Sequence, residues 1–321
     1  MKILVTGGAG FIGSNFIHYI LEKYSEYKVV NLDALTYAGN LENLKAVENN
    51  PNYEFVHGDI TDRQLVNELV SRVNLIIHFA AESHVDRSIE DSDVFVRTNI
   101  NGTLNLLEVA RDNGGVRFHH VSTDEVYGSL GPNDPAFNEK TCYDPRSPYS
   151  ASKASSDHLV RAYFHTHNLP ITISNCSNNY GPYQFPEKLI PLFVSNLMDG
   201  EKIPVYGDGG AIRDWLHVKD HCIAIDKIVQ KGRLGETYCV GGNAEKSNME
   251  ITKEILRAMN EDEKMIEYVE DRKGHDLRYA IDFSKIKNEL GWEPSITFEE
   301  GIASTIQWYK DNEAWWRKLK K

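Results

Sequence analysis

The first thirteen residues limit what this chain can fold into more than any other stretch. Lys2-Ile3-Leu4-Val5-Thr6 is a short apolar run of strand formers that leads without a break into Gly7-Gly8-Ala9-Gly10-Phe11-Ile12-Gly13. Beyond the glycines, Phe16, Ile17, Ile20 and Leu21 recur at helical spacing, which predicts a helix over 14–24. A glycine-rich turn between strand and helix suits a pyrophosphate. Gly7 and Gly10 permit a tight turn and a close backbone approach, Gly13 lets the helix come near the sheet, and the N–H groups of the first helical turn face the anion. The glycine pattern alone is weak, but the next apolar run, Lys28 to Leu32, ends at Asp33, twenty residues past Gly13. An acid at that distance accepts from the ribose hydroxyls of an adenosine and repels a 2′-phosphate, so the expected cofactor is NAD rather than NADP.

Further strand candidates at 53–56, 75–79, 118–122 and 171–175 alternate with helical stretches, and most are continuous apolar runs of the kind buried on both faces. They predict an α/β fold with a doubly wound, Rossmann-like parallel sheet. Long helices are expected over 94–113, closed by Gly114-Gly115, and over 149–167. From Asn178 the texture becomes loop-like and polar-aromatic, pointing to a smaller mixed α/β lobe, while 237–240 again reads as a strand of the main sheet. The expected division is a cofactor-binding domain of 1–177 with 216–242, a second lobe of 178–215 with 243–298, and a C-terminal helix over 299–321. In that helix Trp308, Tyr309, Trp315 and Trp316 read as core packing.

Composition narrows the function classes. Lys plus Arg number 35 against 47 Asp plus Glu, a net charge of −12, which argues against a nucleic-acid partner. The amino terminus shows no basic segment followed by a long apolar run, so neither a signal peptide nor a membrane span is expected. Cys142, Cys176, Cys222 and Cys239 lack any C-x-x-C spacing and are expected to be reduced thiols in a cytoplasmic protein.

Two segments carry chemistry. Tyr149-Ser150-Ala151-Ser152-Lys153 places a phenol and an ammonium on one helical face. The ammonium, helped by a cationic nicotinamide, is expected to lower the phenol's pKa and make Tyr149 a general base toward an alcohol. The fifth strand ends in Ser122-Thr123-Asp124-Glu125, which puts Thr123 near the reacting oxygen with two carboxyls behind it. Alcohol oxidation needs only a base and a hydride acceptor. Two acids at that strand end imply a further proton transfer, one removing a carbon-bound proton and the other, kept protonated, donating to a departing hydroxide.

The glycine turn, Tyr149-x-x-x-Lys153 and the split second lobe resemble the extended short-chain dehydrogenase/reductase family. The runs 80–88, 122–128, 147–153 and 175–182 resemble its nucleotide-sugar dehydratases in particular. The resemblance implies a redox-neutral dehydration of a nucleoside-diphosphate glucose, dTDP-glucose, toward deoxysugar synthesis. It assigns Tyr149 to the C4 hydroxyl with Thr123 hydrogen-bonding that oxygen, Glu125 to the C5 proton and Asp124 to the leaving C6 hydroxyl. By the same resemblance, NAD is held by Phe11, Ile12, Asp33, Ala34, Leu35, Thr36, Asp59, Ile60, Phe79, Ala80, Ala81, Ser83, Thr98 and Asn179, with Tyr149 and Lys153. The sugar nucleotide is held by Ser83, Thr123, Asn178, Lys188, Leu189, Pro204, Val205, Tyr206, Arg213, Asn248, Asp271, His275 and Arg278, with Arg213 and Arg278 as diphosphate clamps. A homodimer is expected through the surplus faces of the long helices. His217-x-x-x-His221 beside Cys222 has metal-ligand spacing, but this chemistry needs no metal and none is expected. Lys273 departs from the family, which usually has proline there. The competing readings are an NAD-dependent nucleotide-sugar 4-epimerase, which needs no such pair of acids, and a non-catalytic NAD-binding scaffold.

Overall fold

The structure, a computed structural model, describes residues 1–271 and 276–320. Strands β1 (Lys2–Thr6), β2 (Lys28–Asp33), β3 (Tyr53–His57), β4 (Leu75–His78), β5 (Arg117–Thr123) and β6 (Ile171–Cys176) form one parallel sheet with a later strand. β7 (Asn178–Tyr180), β8 (Ile203–Tyr206) and β9 (Ile212–His217) lie apart from it, and β10 (Thr237–Val240) returns to complete the order β10-β6-β5-β4-β1-β2-β3. β11 (Glu245–Ser247) pairs antiparallel with β9, which pairs parallel with β7, and β12 (Ile266–Val269) pairs parallel with β8. The fold is thus a Rossmann-like sheet with a smaller mixed lobe, and the strand order reverses between β1 and β4, where open α/β sheets bind ligands.

Both faces of the sheet are covered, which is why its central strands are apolar without alternation. Ile3, Val5 and Ile77 pack with Phe16, Ile17 and Ile20 of helix 11–23 and with Cys222 and Ile225 of helix 218–231. Leu4, Val30 and Phe118 face the other way, against Val66, Leu106, Leu107 and Val160. A second core fills the smaller lobe, where Tyr180, Phe193, Trp215, Ile251, Ile255, Phe298, Tyr309 and Trp316 meet. The carboxyl-terminal segment shares that core and also reaches the first domain, where the Trp315 indole N–H donates to Asn43 at 2.9 Å.

Two expected helices are interrupted. The stretch expected as one helix over 94–113 is α-helical at Asp93–Phe95 and Thr103–Asp112, with a π-helical segment, Val96–Gly102, between. Gly102 lies so close to Ile60 that a Cβ there would fall 2.4 Å from its Cδ1, and Asn99 turns inward to exchange hydrogen bonds with the Glu82 backbone. Close packing and a side chain bound to a neighbouring loop distort the helix, as π segments do near functional sites. The C-terminal helix is two pieces, Phe298–Asp311 and Glu313–Trp316, because Asn312 leaves helical geometry and its amide donates to the Trp308 carbonyl.

Trp292 sits at the junction of helix 218–231 with the carboxyl-terminal region, 1% exposed, its indole N–H on the Asp220 carbonyl at 3.1 Å. Trp292→Ala is expected to lower stability by about 3–5 kcal/mol, read as a fall in the urea midpoint at unchanged m-value.

Candidate active site

The glycine turn is built by close approach. Gly7 has φ +73°, and a Cβ on it would lie 2.5 Å from the Ala80 nitrogen, so this position excludes other residues twice over. A Cβ on Gly13 would lie 2.3 Å from the Gly7 carbonyl oxygen. Helix 11–23 then starts at Gly10 with no side-chain cap, leaving its N-terminal end directed at the cavity. Asp33 closes the turn from β2, one oxygen accepting the Ala9 N–H and the other the Leu35 N–H, each at 2.8 Å. Burial raises the Asp33 pKa and these two N–H groups oppose the rise.

Above this turn lies a cavity of about 340 Å³ that runs from Asp33 past Gly7–Gly13 to Tyr149. Of the residues expected to hold NAD, all but Leu35 line it. Leu35 adopts φ +49° and serves the site through its N–H to Asp33, outside the wall. The close-approach glycines, the uncapped helix end and the ribose-side carboxylate fit an adenine dinucleotide, for which Asp33 and 10–13 would take the adenosine and pyrophosphate and Tyr149 with Lys153 the nicotinamide end.

A second cavity, about 390 Å³, adjoins the first, and Ser83, Glu125, Asn178, Glu187 and Lys188 line both. Leu189, Pro204, Val205, Tyr206, Arg213 and Asn248 line it as expected, whereas Thr123 faces the first cavity. The Arg213 guanidinium is fixed by the Ile212 and Asp276 carbonyls and lies 4.3 Å over the Tyr279 ring. Arg278 lines neither cavity. Its guanidinium grips Glu245 through two nitrogens, at 2.6 and 2.9 Å, and the Asp134 carbonyl through the third, so the expectation of a second diphosphate clamp there is corrected. Asp271 also lies outside the wall, against the Gly207 turn, and His275 and Lys273 fall outside the described residues.

The cavity walls include residues the sequence did not single out. Arg146, Trp215, Thr252 and Tyr279 line the second cavity, and Tyr37 and Gln184 the first. Arg87 bridges the wall between them, 4.1 Å over the Tyr37 ring and 3.2 Å from a Glu187 oxygen. No local spacing marks these positions, although Arg87 lies within the run 80–88 and Tyr37 and Arg146 stand beside recognised segments. The His221 Nδ1–H donates to the Asn179 amide oxygen, 2.9 Å away, which ties this histidine to the cofactor wall.

At the junction of the two cavities the reactive groups converge. β5 ends at Thr123, whose hydroxyl accepts the Glu125 N–H at 3.2 Å and lies 3.3 Å from Asp124 Oδ1. Asp124 is 2% exposed, and its Oδ2 has no hydrogen-bond partner among the described residues. Burial, then Glu125 and Asp214, push its pKa well above the carboxylate range, with Arg213 only partly opposing. Burial and the neighbouring carboxylates thus favour the protonated form of Asp124. Tyr149 enters at the second position of helix 148–167, whose start is fixed by the Ser147–Ser150 capping box and Pro148. Burial first, with Glu125, Cys176, Tyr37 and Asp124, pushes its phenol well up. Lys153 donates to the Val121 carbonyl at 2.8 Å, and burial pulls it down to about 8. In the protein alone burial first and then Glu125 hold the phenol up, and the expected lowering calls on the cationic nicotinamide as well as Lys153.

The family model described as GDP-mannose 4,6 dehydratase matches residues 4–305. A dTDP-glucose 4,6-dehydratase of Xanthomonas campestris is 55% identical, covering 97% of this chain and 94% of that protein. The crystal structure of dTDP-glucose 4,6-dehydratase from Bacillus anthracis in complex with NAD is 52% identical, with TM-score 0.94 and all of both chains covered. A UDP-glucose 4-epimerase of Thermotoga maritima shares the fold at TM-score 0.90 with 30% identity, covering 98% of this chain and 100% of that one.

The Asp124 state has a thermodynamic signature. The unfolded chain ionises this group above about pH 4, whereas the folded chain keeps its proton to a higher pH, so between those two values stability falls as pH rises. Asp124→Asn carries no such proton and is expected to melt above the parent chain near neutral pH, the gap closing below about pH 4. Calorimetry across pH reads this; a pH-independent gap would contradict a protonated Asp124.

Proposed function

The chain belongs to the GDP-mannose 4,6-dehydratase family, and from that membership and the site we propose that it removes water from dTDP-glucose to give dTDP-4-keto-6-deoxyglucose, with NAD as cofactor. The observation that carries this reading is the buried Asp124, whose protonated form burial favours, beside Glu125 where the two cavities join. Oxidation or epimerisation at C4 needs no such acid, whereas elimination across C5 and C6 needs both a base and an acid.

The residues divide the work by environment. Tyr149 takes the proton of the C4 hydroxyl, and Thr123 hydrogen-bonds the same oxygen as it becomes a carbonyl. Bound NAD supplies the hydride acceptor at C4 and the donor that later returns it to C6. The new C4 carbonyl acidifies C5–H, so Glu125 removes that proton while Asp124 gives its own to the C6 hydroxyl, which leaves as water. A proton then goes back to C5, so the balance of the reaction is the loss of one water. The phenol of Tyr149 lies too high to act alone, and Lys153 with a cationic nicotinamide supplies the positive charge its ionisation needs. Arg213, held rigid over Tyr279, is placed to clamp the diphosphate, with Lys188 and Asn248 on the same wall.

We infer a cytoplasmic homodimer. Support comes from Val96, 46% exposed on the segment that precedes helix 103–112, and from Leu104 and Leu159, only partly buried on the two long helices. The acidic composition opposes a nucleic-acid partner.

Incubation with dTDP-glucose in deuterated water is expected to give a 4-keto-6-deoxy product carrying deuterium at C5; a galactose epimer without exchange would favour 4-epimerisation. Glu125→Gln is expected to oxidise C4 yet lose water about 10²-fold or more slowly, so that reduced cofactor accumulates. Parental turnover in that variant would remove Glu125 from the elimination.

A further inference from the structure

Helix 148–167 carries Tyr149, Lys153 and Asp157 at intervals of four, on one face. The first two line the cofactor cavity, and the third lies deeper, wholly buried and outside that wall. A carboxylate without water needs partners, and their nature reveals its state. Asp157 Oδ2 accepts from the Tyr143 hydroxyl at 2.7 Å and from the Asn175 amide at 3.1 Å, and Oδ1 lies 3.2 Å from His120 Nε2. Burial would raise the Asp157 pKa, but His120, Lys153 and Tyr143 together hold it well below the usual range. The acid is therefore ionised.

Its counter-charge is Lys153. Burial first, and then Lys153 itself, pull His120 down to about 4, so at neutral pH that imidazole is a neutral hydrogen-bonding group. Most other titratable groups facing the pair are uncharged, while the Arg161 cation shares the field of Asp157 with Lys153. His78, whose ring lies 5.3 Å from that of His120, is held well below its ordinary pKa by burial, and the Cys176 thiol is pushed up by burial. Tyr143 is a neutral phenol donating to the carboxylate, and Arg161 stacks 4.8 Å over the Tyr143 ring and donates to its hydroxyl at 2.6 Å. Tyr149 and Asp124 hold their protons. Asp157 is the one carboxylate among the described residues that opposes the loss of the Lys153 proton.

We propose that Asp157 is a positioning residue for the reaction, its buried carboxylate, fixed by Tyr143 and Asn175, being the counter-charge that keeps Lys153 an ammonium beside Tyr149. The same carboxylate also steadies the end of β5, because the Asn175 amide that reaches it donates to the Thr123 carbonyl as well, at 3.1 Å. This inference rests on the base role given above to Tyr149 with Lys153.

The test is the pH profile of kcat for dTDP-glucose dehydration by the parent chain, Asp157→Asn and Tyr143→Phe. Asp157→Asn is expected to move the alkaline limb down by about one unit, so that turnover falls less than about twofold near pH 7 and about tenfold above pH 8. Tyr143→Phe removes a hydrogen bond but keeps the charge, and is expected to leave the limb in place. A folded Asp157→Asn with an unmoved limb, or with the same loss at every pH, overturns the inference. Should Asp157→Asn not fold, the same coupling is read by stability. Lys153→Met with Asp157→Asn is then expected to melt above Lys153→Met alone, since the single variant strands a buried charge; a double variant no more stable, or itself unfolded, also overturns it. Absence of the 4-keto-6-deoxy product with the parent chain would instead sink the dehydration reading itself.

Discussion

Exclusion of water from the end of β5 and the start of helix 148–167 is the constraint on which the rest of this protein depends. Asp124, Tyr149 and Lys153 are each less than a tenth exposed, and each is driven toward its neutral form by that loss of hydration. In water the same three side chains would be a carboxylate, a phenol and a firmly held ammonium. In the core one becomes an acid able to donate, one a phenol that ionises only against positive charge, and one an ammonium close to losing its proton. The division of labour between adjacent Asp124 and Glu125 follows from burial and from their mutual repulsion, not from residue type.

Such a dry site needs a scaffold that covers both faces of the sheet and leaves only the carboxyl ends of the strands open. The seven-stranded parallel sheet does this, with helices 11–23 and 218–231 on one face and 63–70, 103–112 and 148–167 on the other. The smaller lobe then supplies the wall that the strand ends lack. Arg213 arrives on β9 and Asn248 at the start of a capped helix, so substrate-facing groups sit on regular elements with little freedom to move.

Much of this was readable along the chain. The strand–glycine turn–helix unit, Asp33, the Tyr149–Lys153 pair and the Asp124–Glu125 pair are local patterns whose meaning is set by spacing within one element or turn. Where the reading missed, the deciding contact was distant in sequence. Arg278 is taken up by Glu245, more than thirty residues away, and the helix over 94–113 is distorted by Gly102 against Ile60 and Asn99 against Glu82. Leu35 stood in the right segment, but its backbone serves Asp33 and its side chain stays out of the cavity.

The sequence by itself determined the fold class, the cofactor type and the candidate reacting side chains, because periodicity, glycine spacing and an acid after the second strand act over short range. Only the tertiary structure decided how burial biases Asp124 and Tyr149 toward their protonated forms in the protein alone, and that Lys153 rather than His120 balances Asp157. Those outcomes depend on desolvation and on charges brought together from β4, β5, β6 and the helix between them. Electrostatic energies in a dry core are set by distance and burial, and neither is written in the order of the residues.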